Sequence, residues 1–216
     1  MYLLIKRLFD IVASIAGILI LSPIWIVAMI GIELSDWGPL FYVAKRVGKD
    51  SKVFNMFKFR SMRIDRNADE KKFKAETSRI FWFGNIMRKL KIDELPQLLN
   101  VVIGDMSVVG PRPASTDQVQ VMHAGKFAEV VTVRPGLTGS AALYDYIYGD
   151  TIEDEQEYEK LVLPTRMKLE LEYVRNRSLF YDMQLILWTI YCIIMTFLGR
   201  TPKNLLTTLQ EKSESI

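Results

Sequence analysis

Hydrophobic and polar positions divide the chain into an apolar head, a mixed polar body and a second apolar stretch. From Ile11 to Ile32 no charged residue interrupts 22 consecutive positions. At about 1.5 Å per residue, a helix there just matches a hydrocarbon core. Ser22-Pro23 stands at its middle. Proline removes a backbone donor and crowds the preceding turn, so it bends or breaks a helix. The Ser22 hydroxyl can return a hydrogen bond to a freed carbonyl upstream. A break at mid-depth lets the chain turn back to the side it entered. Charge agrees with that: Lys6 and Arg7 flank one end, and Lys45, Arg46, Lys49 and Lys52 follow the other. A spanning helix would put one basic cluster on the unfavoured side. A kinked spanning helix is the alternative, and the residues alone leave the two open. No small-x-small site follows the apolar run, which argues against a cleaved signal peptide.

Beyond Glu33 the pattern changes. Asp36-Trp37-Gly38-Pro39 reads as a turn, with Trp25 and Trp37 as interfacial anchors or core residues. Leu40 to Ala44 is a strand, Lys45 to Lys52 a basic turn. Val53 to Met62 alternates, with Phe57 and Phe59 on one face and Lys58 and Arg60 on the other. Asp65 to Thr77 is polar and helix-prone. Arg79 to Lys91 carries Phe81, Trp82, Phe83 and Gly84, then a helix ending in basic residues. Ser107 to Val109 is a short strand. Leu161 to Val174 is helical with Pro164 near its start, after an acidic helix opening between Ile152 and Glu159. Met183 to Leu198 is 16 residues without charge, short for a span and better suited to a core or interfacial helix. Glu211 to Ile216 is expected to lack fixed structure. The expected fold is α+β and mostly helical. Residues 1–35 form the membrane helix, 36–200 the catalytic body with interfacial helices, and 201–216 a tail.

Candidate chemistry gathers in the middle. In Asp93-Glu94-Leu95-Pro96-Gln97-Leu98-Leu99-Asn100, the leucines have helical spacing and Pro96 is tolerated only in a first turn. A helix is therefore expected from about Asp93 to a stop at Gly104. Two carboxylates at its positive end would be held ionised, as suits a nucleophile or metal ligand. Simple capping accounts for them as well. In Gly110-Pro111-Arg112-Pro113, two prolines restrict a guanidinium suited to paired hydrogen bonds with phosphate. Arg134-Pro135-Gly136-Leu137-Thr138-Gly139 repeats the theme.

Composition narrows the chemistry. Cys192 is the only cysteine and His123 the only histidine, so neither an internal disulfide nor a His/Cys zinc site is expected. Any metal would be held by oxygen ligands, which favours Mg2+ or Mn2+. A net charge of +3 is too small to indicate nucleic acid. It suits an anionic lipid surface or a phosphorylated ligand.

These motifs together resemble the bacterial sugar transferase family, the monotopic polyprenyl-phosphate phosphoglycosyl transferases. The resemblance starts at Lys6-Arg7-Leu8-Phe9-Asp10 and takes in Ser22-Pro23 and Phe57-Lys58-Phe59-Arg60-Ser61-Met62. It is strongest from Asp93 to Asn100 and from Gly104 to Pro113. It resumes at Arg134 to Gly139 and at Tyr173-Val174-Arg175-Asn176 with Ser178 and Asp182. It implies a re-entrant helix broken at Ser22 and Pro23, in the bacterial inner membrane, with the catalytic body on the cytoplasmic face. It implies transfer of a sugar 1-phosphate from a UDP-sugar to polyprenyl (undecaprenyl) phosphate with release of UMP, the first membrane step of glycoconjugate assembly. Asp93 would be the nucleophile that carries the phospho-sugar. Glu94 would bind Mg2+ (or Mn2+) with it, or assist proton transfer. Lys58, Arg60, Arg88, Arg112 and Arg134 would contact phosphate and nucleotide. Two other readings stand beside this one: direct attack by the lipid phosphate without a covalent enzyme, and a non-catalytic scaffold for later glycosyltransferases. The chain departs from the family pattern at Phe81 and at Ser140-Ala141-Ala142-Leu143, which leaves the sugar undefined. The Phe81–Phe83 cluster reads as pocket wall, membrane contact or homodimer surface.

Overall fold

A computed structural model describes residues 2–64, 77–116, 119–122 and 124–215. The polar stretch expected as a helix after Asp65 lies outside the described residues up to position 76, as does His123.

The apolar head forms two helices, α1 (Tyr2–Ile20) and α2 (Ser22–Ser35), bent by 59° at the expected break. Pro23 sits in the first turn of α2, and Ser22 Oγ donates to the Leu19 carbonyl at 2.8 Å. The buried residues of α1 are Asp10 and Ser14, while Leu4, Leu8, Val12, Leu19 and Ile20 are exposed. That inverts the soluble pattern and leaves a contiguous apolar surface in need of cover. Trp25 packs edge-on to Phe59 at 5.3 Å, and Trp37 is 87% exposed.

The body begins with an antiparallel hairpin, β1 (Phe41–Val47) and β2 (Val53–Phe59), joined through a tight turn at Lys49–Ser51. Lys45, Arg46 and Val47, expected in the turn, extend β1, because Lys45 pairs with Asn55 and Arg46 with Phe54 across the ladder. Next come α3 (Trp82–Lys89), α4 (Gln97–Ile103), β3 (Ser107–Val109) and β4 (Ala114–Ser115). Then follow α5 (Val119–Met122), β5 (Gly136–Thr138) and α6 (Ser140–Ile147). The chain closes with α7 (Glu155–Leu161), α8 (Leu163–Asn176), α9 (Leu179–Phe197) and α10 (Lys203–Glu214). β4 joins the other edge of β1, and β3 pairs with β5 in parallel. The main core lies among α6, α7, α8, α9 and α10, around Leu143, Tyr144, Val162, Leu169, Leu185 and Leu209.

Three expectations change. α4 starts at Gln97, and Asp93 and Glu94 sit in a separate 3-10 turn, Ile92–Glu94. Pro96 does not donate a backbone hydrogen bond, so the α ladder opens after it. α9 starts four residues earlier than the uncharged run, because Ser178 caps it by accepting from the Tyr181 N–H at 3.2 Å. At 19 residues it is long and apolar enough to cross a membrane by length and composition, with one face packed inward through Tyr181, Asp182, Leu185 and Cys192. The C-terminal residues form α10 rather than a loose tail. Leu205 and Leu209 are buried in the main core, and the Lys212 ammonium lies over the Tyr181 ring at 4.3 Å.

Asn100 joins α4 to the hairpin. It is fully buried, accepts from the Phe57 N–H at 2.9 Å and donates to the Asn55 carbonyl at 2.7 Å. Asn100→Ala orphans both backbone groups and should cost roughly 2–4 kcal/mol, read by denaturant unfolding in detergent. A loss below the measurement error would mean that water replaces the amide.

Candidate active site

The acidic pair is positioned by an unusual backbone. Lys91 adopts φ 56°, ψ 21°, the left-handed region that a non-glycine residue seldom takes. This reverses the chain between α3 and the Ile92–Glu94 turn and leads directly into α4. The Lys91 ammonium lies 4.4 Å above the Tyr146 ring and 3.7 Å from Asp150. The Tyr146 hydroxyl donates to the Lys89 carbonyl at 2.6 Å. Thus α6 clamps the same bend from the other side.

A polar cleft opens between the hairpin, α4, α6 and α8. Lys58, Glu94, Gln97, Arg112, Asp145 and Arg166 supply its charged and amide groups. Lys58 Nζ holds Glu94 Oε1 at 3.1 Å. Arg112 reaches Asp145 at 3.5 Å. Asp145 also accepts from the Tyr158 hydroxyl at 2.7 Å, and that hydroxyl accepts from Arg166 at 3.1 Å. Arg166 continues to Glu170 at 3.3 Å. Buried charges are tolerable because each is paired and hydrogen-bonded to a neighbour.

Burial and charge separate the two carboxylates. Burial raises the Asp93 pKa above the ordinary aspartate value, against the lowering pull of Lys58, Lys91 and Arg88. Glu94 is driven well below the ordinary range: burial pushes upward, but Lys58, Lys91 and Arg112 outweigh it. The expectation that a helix dipole would hold both carboxylates ionised is therefore replaced: Glu94 alone is depressed, and neighbouring cations are the cause. Asp93 is 4% exposed and its Oδ1 has no hydrogen-bond partner among the described residues. Burial also pushes the Tyr158 hydroxyl up to about 12. Asp145 stays low because Arg112 and Arg166 offset its burial.

The structure brings Lys58, Arg112 and the acidic pair together. Arg88, on α3, is within electrostatic reach of Asp93, with its guanidinium against Met62 Sδ at 3.9 Å. Arg60 is placed elsewhere. It is buried, donates to the Pro39 carbonyl at 2.6 Å and pairs with Asp36. Arg134 is also remote from this cleft, donating to the Gly104 carbonyl at 2.7 Å at the far end of α4. Phe81 packs in the core with Phe59 and Met87, Phe83 packs against Gly31, and Trp82 is exposed. Ala142 does line the cleft. Lys91, Gln97, Asp145, Tyr158 and Arg166 were not singled out from sequence. The one available signal was Asp145 itself, a lone carboxylate in the otherwise uncharged segment Ser140–Ile147.

Among the described residues no group of three or more His, Cys, Asp or Glu side chains gathers. Two carboxylates with one unpartnered buried oxygen still suit Mg2+, which takes one or two protein carboxylates and completes its shell with substrate phosphates.

Known proteins resemble the chain over most of its length. It is 32% identical over 207 residues to the exopolysaccharide production protein ExoY of Rhizobium meliloti (strain 1021), covering 88% of this chain and 86% of that protein. It is 32% identical over 197 residues to the UDP-glucose:undecaprenyl-phosphate glucose-1-phosphate transferase of Escherichia coli (strain K12), covering 87% of this chain and 40% of that one. With the UDP-N-acetylgalactosamine-undecaprenyl-phosphate N-acetylgalactosaminephosphotransferase of Aeromonas hydrophila, identity is 33% over 204 residues, covering 92% and 46%. The chain thus spans less than half the length of the last two relatives. Residues 1–196 match the bacterial sugar transferase pattern, and the chain belongs to that family.

Proposed function

We propose that this protein transfers a sugar 1-phosphate from a UDP-sugar to undecaprenyl phosphate, releasing UMP, with Asp93 as a covalent nucleophile. The observation that carries this reading is a buried, partly unpaired carboxylate, Asp93, adjacent in the chain to the depressed Glu94, which lines a cationic cleft. Relatives named as undecaprenyl-phosphate sugar phosphotransferases support the substrate class. Those relatives carry different sugars, so the sugar is not inferred.

In the first step Asp93 attacks the sugar-bearing phosphorus. The P–O bond to the uridine phosphate breaks, and UMP leaves with the electron pair. In the second step an oxygen of the lipid phosphate attacks the same phosphorus and the aspartyl oxygen leaves, restoring the enzyme. A carboxylate with few hydrogen bonds and a raised pKa is the better nucleophile of the pair. At 4% exposure, Asp93 must rotate about its side-chain torsions to meet the donor. Lys58 and Arg112 balance charge on the diphosphate. Gln97, Asp145 and Ser115, whose buried Oγ has no hydrogen-bond partner, suit hydroxyl and amide groups of the donor. Asp93 and Glu94 would hold Mg2+ or Mn2+, which would neutralise charge on the donor diphosphate and on the departing UMP. With its pKa depressed, Glu94 is a weak base, which favours the metal or charge role over proton transfer. The exposed apolar surface of α1 and α2, their 59° bend and the polar inner face of α1 support a re-entrant hairpin, which this reading places in the inner membrane with the body on the cytoplasmic side.

Incubation with labelled UDP-sugar and no lipid acceptor should give a phospho-sugar adduct on Asp93 and one equivalent of UMP. Asp93→Asn should lose the adduct and about 10^4-fold or more in turnover. Active enzyme with no adduct and intersecting kinetics would sink the covalent step in favour of direct attack by the lipid phosphate.

Asp93 must be ionised to attack, so the acid limb of kcat/KM should report it: burial raises its pKa and a bound cation would lower it, so the limb should lie at higher pH the lower the Mg2+ concentration. Lys58→Met removes a cation that favours the ionised form. The limb should move to higher pH, with turnover down about 10^2-fold. An unmoved limb would show that another group controls it.

A further inference from the structure

The two ends of α4 serve different clefts. The catalytic cleft lies at the N-terminal end, and the other end closes a second one. Lys6, Arg7, Lys49, Arg134 and Arg177 line this second cleft, and it shares no lining residue with the first. From Glu94 to Gly104 the separation is about 15 Å at 1.5 Å per residue.

The carboxylates nearby are already committed. Asp10 accepts from Ser107 Oγ at 2.8 Å and from the Val108 N–H at 3.0 Å. Asp182 is shared by Lys6 at 3.0 Å, the Tyr2 hydroxyl at 3.0 Å and the Tyr173 hydroxyl at 2.7 Å. Among the described residues Lys49 has only an exposed contact with Asp50 at 3.9 Å, a weak kind of pair.

Neither Arg7 nor Arg134 meets a carboxylate among the described residues. Arg7 donates to the Val101 and Val102 carbonyls at 2.7 and 3.0 Å, and Arg134 Nε to that of Gly104 at 2.7 Å. Capping the last turn of α4 explains those three bonds. It does not explain the rest of the Arg134 fork, nor why Lys49 and Arg177 converge on the same space from other segments. Asp182 answers Lys6 and Asp10 acts on Arg7, which leaves an excess of positive charge from Lys49, Arg134 and Arg177 that is disfavoured unless an anion joins it. The remaining walls include Leu3, Val109 and Val133, and the neighbouring Leu4 and Leu8 of α1 are exposed. A cationic pocket with an apolar rim fits a phosphoryl group, whether inorganic phosphate or the headgroup of an anionic lipid.

We propose that this cleft is a second anion site, separate from catalysis, that binds a phosphoryl group between Arg134, Lys49 and Arg7. Occupancy would neutralise the cluster and tie the hairpin turn and the segment before β5 to the base of α1. The proposal does not depend on the transferase reading.

The test uses the full chain in non-ionic detergent, carrying Arg112→Gln so that phosphate in the catalytic cleft contributes little. One arm titrates inorganic phosphate against chloride at equal ionic strength, read by thermal shift. The other adds short-chain phosphatidylglycerol against short-chain phosphatidylcholine, read by native mass spectrometry. Adding Arg134→Gln or Lys49→Gln should weaken the anionic ligand about fivefold in at least one arm. An effect in the phosphate arm alone identifies free phosphate, and in the lipid arm alone a headgroup. Arg134→Gln also removes a cap and can unfold the helix end, so exposed Lys49→Gln decides if that variant is unstable. Absence of anion-specific binding in both arms, or binding that Lys49→Gln leaves unchanged, would overturn the site.

Discussion

A helix of seven residues has little stability of its own in water, so α4 takes its position from whatever holds it. Polar contacts of three residues and one backbone bend do so. Asn100 fixes its middle to β2, Arg7 and Arg134 close its last turn, and the left-handed Lys91 brings the chain into it at a set angle. The acidic turn that precedes α4 inherits that position. Each contact joins α4 to a different part of the chain, so the site needs α1, the hairpin and α6 assembled together.

The same logic joins the apolar head to the body. α1 presents Lys6, Arg7 and Asp10 inward, and each finds a partner on α9, α4 or β3. Polar anchoring suits a helix whose outer surface is apolar, because burying hydrophobic residues against the body would add little in lipid. Lys6-Arg7-Leu8-Phe9-Asp10 is thus a set of structural connections as much as a flanking charge signal. Arg60 behaves similarly. Its pairing with Asp36 and the Pro39 carbonyl fastens the exit of α2 to the end of β2.

Charge in the candidate catalytic cleft is arranged as a chain. Lys58 and Lys91 neutralise Glu94, Arg112 answers Asp145, and Arg166 links Tyr158 to Glu170. Asp93 Oδ1, beside this chain, has no hydrogen-bond partner among the described residues. A buried polar atom without a partner carries a desolvation cost. Such a cost is commonly retained where chemistry uses it.

Local chemistry in the sequence was enough for the break at Ser22-Pro23, the strand at Ser107–Val109, the stop at Gly104 and the acidic pair beside Pro96. Proline, glycine and period-two alternation act through neighbouring residues, so their effects are readable in one dimension. It could not separate Asp93 from Glu94, or Arg112 from Arg60 and Arg134. Those distinctions rest on burial and on which distant charge lies nearest, and such contacts span up to 180 positions of chain, as between Tyr2 and Asp182. The C-terminal helix escaped for the same reason. Its few apolar residues mean little until α8 and α9 supply the surface that buries them. Sequence alone determined which groups were available for chemistry, and tertiary packing decided their protonation, their partners and which of two clefts each one serves.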